Sequence, residues 1–134
     1  MQVSIKKIAF AIAIIGLITS TYIEVVRLTS IQIACPENSL INCNDVLNSK
    51  YSTIFGVPNS LLGIIFFLLE VIVISKYFGK DQMLILNCIG ITFVAYYIFT
   101  EYLLGRICEY CTIVHASVIL LLAISIIKYG KPTS

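Results

Sequence analysis

The chain has 134 residues, of which 59% are hydrophobic and 12% charged, with a net charge of +2 and a mean hydropathy of +0.99. A soluble domain carries about 25% charged residues, so this chain lacks the charge to coat a water-facing surface. It is also too apolar for a disordered chain and offers no basic patch to a nucleic acid. At about 20 apolar residues per crossing, the length accommodates one small membrane domain of up to four helices.

The first apolar run follows Lys6 and Lys7 and stays uncharged from Ile8 to Ile23. A basic start and an apolar core also describe a secretory signal peptide. Thr19-Ser20-Thr21-Tyr22 offers no clean small-residue cleavage site, however, and the apolar character persists through Val25 and Val26. A retained helix over about 6–28 is expected, a signal anchor being its simplest role.

From 29 to 59 the composition turns polar, and Pro36, Gly56 and Pro58 punctuate a loop. Within it, 44–51 has few breakers and suits a short interfacial helix capped by Asn42 or Asn44. Pro58 and Asn59 then start a second spanning helix over 60–77. Glu70 breaks its uncharged character and is expected to snorkel or pair toward Lys76. Gly79-Lys80-Asp81 forms a turn, and a third helix is expected over about 82–103, uncharged from Gln82 to Thr100. Gly105 and Arg106 separate it from a fourth over 109–128, which ends at Lys128, Gly130 and Pro132. The fold class is therefore all-α, a bundle of four transmembrane helices with one long loop. Gly16, Gly63 and Gly90 are placed to let helices approach closely.

Lysines and arginines near helix ends set orientation. Lys6, Lys7, Lys76, Lys80, Lys128 and Lys131 fall on one side, against Arg27, Lys50 and Arg106 on the other. Both termini are expected in the cytoplasm, which brings Cys35, Cys43, Cys108 and Cys111 together on the outer, oxidising face. Cys88 lies inside an apolar run and is expected to be a small core residue.

Cys108-Glu109-Tyr110-Cys111 opens the fourth helix. Unpaired N–H groups and the positive end of the helix dipole stabilise a thiolate there, and Arg106 adds a cation. Cys35 and Cys43 bracket a polar stretch suited to a mobile second pair. Together the pairs suggest a two-stage thiol relay from a soluble partner to the loop pair, then to Cys108 and Cys111, then to an acceptor in the membrane. Two other readings stay open. A four-thiolate zinc site commonly uses two close pairs, a spacing that Cys35 and Cys43 fit less well, and a structural assembly factor needs no thiol chemistry. A haem attachment is excluded by Thr112 where C-x-x-C-H needs His.

These residues resemble the vitamin K epoxide reductase family in its prokaryotic form. The resemblance spans nearly the whole chain: Gly16-Leu-x-x-Ser20-x-Tyr22, then Cys35-x7-Cys43, Val46 and Ser49, then Ile54-Phe-Gly-Val-Pro-Asn-Ser-Leu-Leu-Gly63, and finally Cys108-x-x-Cys111. Oxidases of the DsbB type carry the pairs in the opposite order. The resemblance implies that Cys35 and Cys43 exchange disulfides with a thioredoxin-like (DsbA-like) protein. One of them would bridge transiently to Cys108, and Cys111 would react with a membrane quinone such as menaquinone or ubiquinone. Reduction of vitamin K epoxide is the animal variant of this chemistry. With no thioredoxin-like domain among these residues, the partner is expected to be a separate protein.

The resemblance also implies that Ser49 sits near the quinone and loop thiols, and that Asn59 hydrogen-bonds a quinone carbonyl. Where animal enzymes carry Tyr four residues after the CxxC, this chain has His115. It lies one turn past Cys111 on the same helix face, able to donate to a quinone oxygen or supply a proton. Phe66 and Phe67 are candidate walls of the quinone pocket, which the outer loop would cap.

Overall fold

The computed structural model describes residues 2–29, 53–54, 56–78, 80–105 and 109–129. Four helices account for most of them: α1 (Gln2–Thr29), α2 (Asn59–Tyr77), α3 (Asp81–Leu104) and α4 (Glu109–Lys128). In lipid every backbone N–H and C=O must be satisfied within the protein, which leaves a helix as the only single-segment solution. All four are long and apolar enough to cross a bilayer. The chain is a multi-pass membrane protein.

The side chains are distributed as that solvent demands. Ile15, Ile18, Ile72, Ile85, Phe99 and Ile126 are exposed on the bundle surface, while Ser20, Glu70, Asn87, Glu101, His115 and Ser125 are buried within it. Lipid tails are as apolar as leucine, so helices associate through close packing and buried polar groups rather than by hiding apolar area. Ala9, Ala13, Phe67, Ile74, Met83, Val94 and Leu121 form the interior contacts.

The helices form a closed ring in which α1 meets α2 and α4, and α3 completes the circle between them. The α1–α2 interface is the most extensive of the four and the α2–α3 interface the smallest. Glycines make the tight approaches. The Phe67 ring occupies the space where a Cβ on Gly16 would stand, and a Cβ on Gly63 would lie 2.7 Å from Ser20 Oγ. The Gly16…Ser20 and Ser60…Gly63 patterns thus encode one interlocked helix pair. At its far end, Lys6 Nζ donates to the Ser75 carbonyl across 3.5 Å.

Between α1 and α2 the structure adds an element the sequence did not announce. A short hairpin pairs β1 (Thr53–Ile54) with β2 (Val57–Pro58), Thr53 opposite Pro58 and Ile54 opposite Val57. Gly56, at φ 81°, supplies the left-handed turn. Strands of two residues are too short to show any alternation. The expected interfacial helix over 44–51 lies outside the described residues. Gly105, at φ 70°, ends α3 by donating its N–H to the carbonyls of Glu101 and Tyr102.

Two expectations need correction. Glu70 neither snorkels nor pairs with Lys76: it is fully buried, with its carboxyl directed at Asn87 of α3. An inward position surrounds it with protein groups, whereas the outer face offers only lipid. Cys88 is no core residue. It is exposed on the outer face of α3, where a weakly polar thiol meets hydrocarbon at little cost.

Candidate functional site

All four helices contribute to a cavity of about 340 Å³, within the range of small-molecule sites. It has two characters along its length. Toward the end that carries the 29–59 connection, its walls hold Asn59 and Ser60 from the start of α2, Tyr97, Thr100 and Glu101 from the end of α3, and Cys111 and His115 from the start of α4. Deeper in, Leu62, Phe66, Leu69, Leu86 and Val118 make it wholly apolar. Ile65 and Leu69 of α2 and Ile89 and Phe93 of α3 line the cavity yet are also exposed at the surface. The cavity therefore opens sideways between α2 and α3, across the smallest helix interface, toward the region lipid would occupy.

Local sequence explains how each polar group arrives there. Pro58, with φ −62° and ψ 141°, stands immediately before α2, so Asn59 is the first helical residue. Helix α4 begins at Glu109, which puts Cys111 in its first turn, where backbone N–H groups have no helical acceptor. Tyr22 of α1 packs against Tyr110, ring centroids 5.2 Å apart, and so braces the residue preceding Cys111. Cys111 and Tyr97 are close enough to interact electrostatically.

His115 is held by contacts from α3. It is 7% exposed, lies 3.7 Å through Nδ1 from Glu101 Oε1, and has the Tyr97 ring stacked on it at 6.0 Å. At the rim, Glu24 accepts hydrogen bonds from Arg27 Nε at 2.8 Å and from Ser60 Oγ at 3.4 Å. That cluster ties the end of α1 to the start of α2.

Of the residues singled out from sequence, Asn59, Phe66, Cys111 and His115 all line this one cavity. Phe67 joins them from the core. Cys35, Cys43, Ser49, Arg106 and Cys108 lie outside the described residues. Two cavity residues were missed, Tyr97 and Glu101. With Gly90 and Val94 they lie at three- and four-residue spacing on the inward stripe of α3, a stripe that a helix apolar on nearly every face does not single out.

A cysteine at the polar end of a lipid-open apolar cavity, inside a four-helix membrane bundle, defines a class of membrane thiol protein. Residues 7–126 match the vitamin K epoxide reductase family, and the chain belongs to that family. It is accordingly a membrane oxidoreductase of the vitamin K epoxide reductase type. A comparison with curated proteins returns no match.

Proposed function

We propose that the protein oxidises a separate extracytoplasmic thioredoxin-like (DsbA-like) protein and passes the electrons to a membrane quinone, promoting disulfide formation on the extracytoplasmic side. In this reading Cys35 and Cys43 take electrons from the partner, Cys108 and Cys111 receive them, and both chain termini are cytoplasmic. The observation that carries it is the placement of Cys111 in the wall of a cavity that is polar at one end and opens laterally between α2 and α3.

The residues present fit a quinone. Asn59, Tyr97 and His115 stand at the polar end, where ring carbonyls need donors, and Phe66, Leu69 and Leu86 line the apolar part that would take a hydrocarbon tail. When bound, a quinone supplies an acceptor for two electrons and two protons. The chain's own residues do the rest. The first turn of α4 sets the Cys111 thiol in the cavity wall, the apolar walls exclude water, and the packing of Tyr22 on Tyr110 braces the residue before it. The family membership supports the oxidoreductase class.

The relay is tested by trapping. In a Cys43→Ser or Cys35→Ser variant the remaining loop thiol should attack the disulfide of a purified oxidised thioredoxin-like protein and accumulate a mixed disulfide visible on non-reducing gels. If neither variant traps any, the loop pair does not meet such a partner.

A further inference from the structure

Glu101 stands one turn before the break between α3 and α4 and is 8% exposed, its side chain turned inward to the cavity wall. In a bundle whose outer surface is hydrocarbon, a carboxyl is kept inside only where another polar group answers it. One such group here is the Nδ1 of His115, 3.7 Å from Oε1. The separation exceeds a hydrogen bond, but contacts of this kind are commonly long in the absence of substrate and tighten with it. The Tyr97 ring, 20° from parallel with the imidazole, restricts rotation of that ring and keeps its Nδ1 edge toward α3. Cys111 precedes His115 by one turn, so thiol and imidazole share a helix face and both line the cavity.

We propose that Glu101 is a positioning residue. It holds the Nδ1 proton of His115, so that Nε2 is left unprotonated and serves as the proton carrier between Cys111 and the quinone. This rests on the quinone reading above.

The balance closes on one turnover. Oxidising the Cys108–Cys111 dithiol breaks two S–H bonds, forms one S–S bond and releases two electrons and two protons. Both electrons pass to the quinone, giving the quinol. Nε2 takes the Cys111 proton as the thiolate forms, and the resulting imidazolium is stabilised by the Glu101 carboxylate. It then yields that proton to a quinone oxygen, and the Cys108 proton follows over the same nitrogen to the second oxygen, so the ring begins and ends neutral. The arrangement has the logic of a nucleophile, a base and an orienting carboxylate held in sequence.

His115 is the only histidine in the chain, which makes a direct test simple. The full chain in detergent micelles, labelled with ¹⁵N-histidine, gives a single pair of imidazole nitrogen resonances. At alkaline pH the wild type should show a protonated Nδ1 and an unprotonated Nε2, and Glu101→Gln should lose that preference while Glu101→Asp retains most of it. Quinone turnover should fall at least about 10-fold in Glu101→Gln, within the range of general acid–base effects, and recover in part in Glu101→Asp. A wild-type ring protonated on Nε2, or a tautomer unchanged in Glu101→Gln, overturns the assignment without need of any activity. The expected tautomer in wild type and its loss in Glu101→Gln, with no quinone reduced by wild type, would support the positioning contact and contradict the quinone reading instead.

Discussion

Tyr97 of α3 lies over His115 of α4, with ring centroids 6.0 Å apart and planes 20° from parallel. The stack places a phenol beside the imidazole at the polar end of the cavity, and the Tyr97 hydroxyl has no hydrogen-bond partner among the described residues. A buried hydroxyl without a partner costs free energy, and a carbonyl oxygen entering the cavity would remove that cost. Tyr97→Phe keeps the ring and deletes only the donor. We expect the KM for a short-chain quinone to rise about 10-fold, the equivalent of one hydrogen bond of about 1.4 kcal/mol. Thermal stability should be unchanged or slightly higher, because an unsatisfied group has been removed. A KM equal to wild type would exclude Tyr97 from binding.

Gly90 controls the shape of the same cavity. A Cβ at this position would lie 2.6 Å from Phe66 Cε2 and 3.1 Å from Val118 Cγ1. Gly90→Ala must therefore displace the Phe66 ring or part the α2–α3 seam. The expected cost is about 1–3 kcal/mol, typical of overpacking a filled interior, and quinone affinity should fall with it. Denaturant unfolding in detergent and a quinone titration check the two effects separately.

The four helices were legible because long apolar runs are broken at few places, with Asp81 opening α3 and Gly105 closing it, although α1 starts at Gln2, ahead of Lys6 and Lys7 where its apolar run begins. Asn59 was legible as a member of the site through the family resemblance, and His115 through its place one turn past Cys111 on the same helix face. The inward stripe of α3 was harder to read. That helix is almost uniformly apolar, and periodicity cannot show which face turns inward when both faces meet apolar surroundings. Glu101 and Tyr97 were missed for that reason. Cys88 was misplaced by a rule for water-soluble cores, under which a small apolar group belongs inside.

Cys88 gives a prediction of its own. It is exposed on the lipid-facing side of α3, away from the cavity lining, so Cys88→Ser should leave quinone turnover unchanged and alter stability by no more than about 0.5 kcal/mol. In wild-type protein with the other thiols oxidised, Cys88 should react with a membrane-permeant maleimide and resist a charged one. Protection from both reagents would contradict the outward placement.

At the opposite end of the bundle, Tyr129 hydrogen-bonds Asp81, and the contact with that carboxylate raises the phenol's pKa above its ordinary 10.0. The link joins the end of α4 to the start of α3. Because the folded-state value is the higher one, the stabilisation is fully present below the ordinary phenol range and is lost as pH rises through the raised value. Difference titration of the tyrosine absorbance between wild type and Tyr129→Phe should show one phenol ionising above pH 10, an outcome that Asp81→Asn should reverse.

The central claim is that electrons leave the protein at Cys111 into a quinone held in this cavity. It is tested most directly by mixing dithiol-reduced protein with a soluble quinone in a stopped-flow instrument and following quinone absorbance over a single turnover. Wild type reduced at both pairs should reduce one quinone from Cys108–Cys111 and a second once Cys35 and Cys43 hand their electrons on, and Cys111→Ser should abolish the reaction. In Cys35→Ser with Cys43→Ser, this single step should survive while turnover with a thioredoxin-like donor is lost. Quinone reduction at the wild-type rate by a Cys111→Ser variant would contradict it.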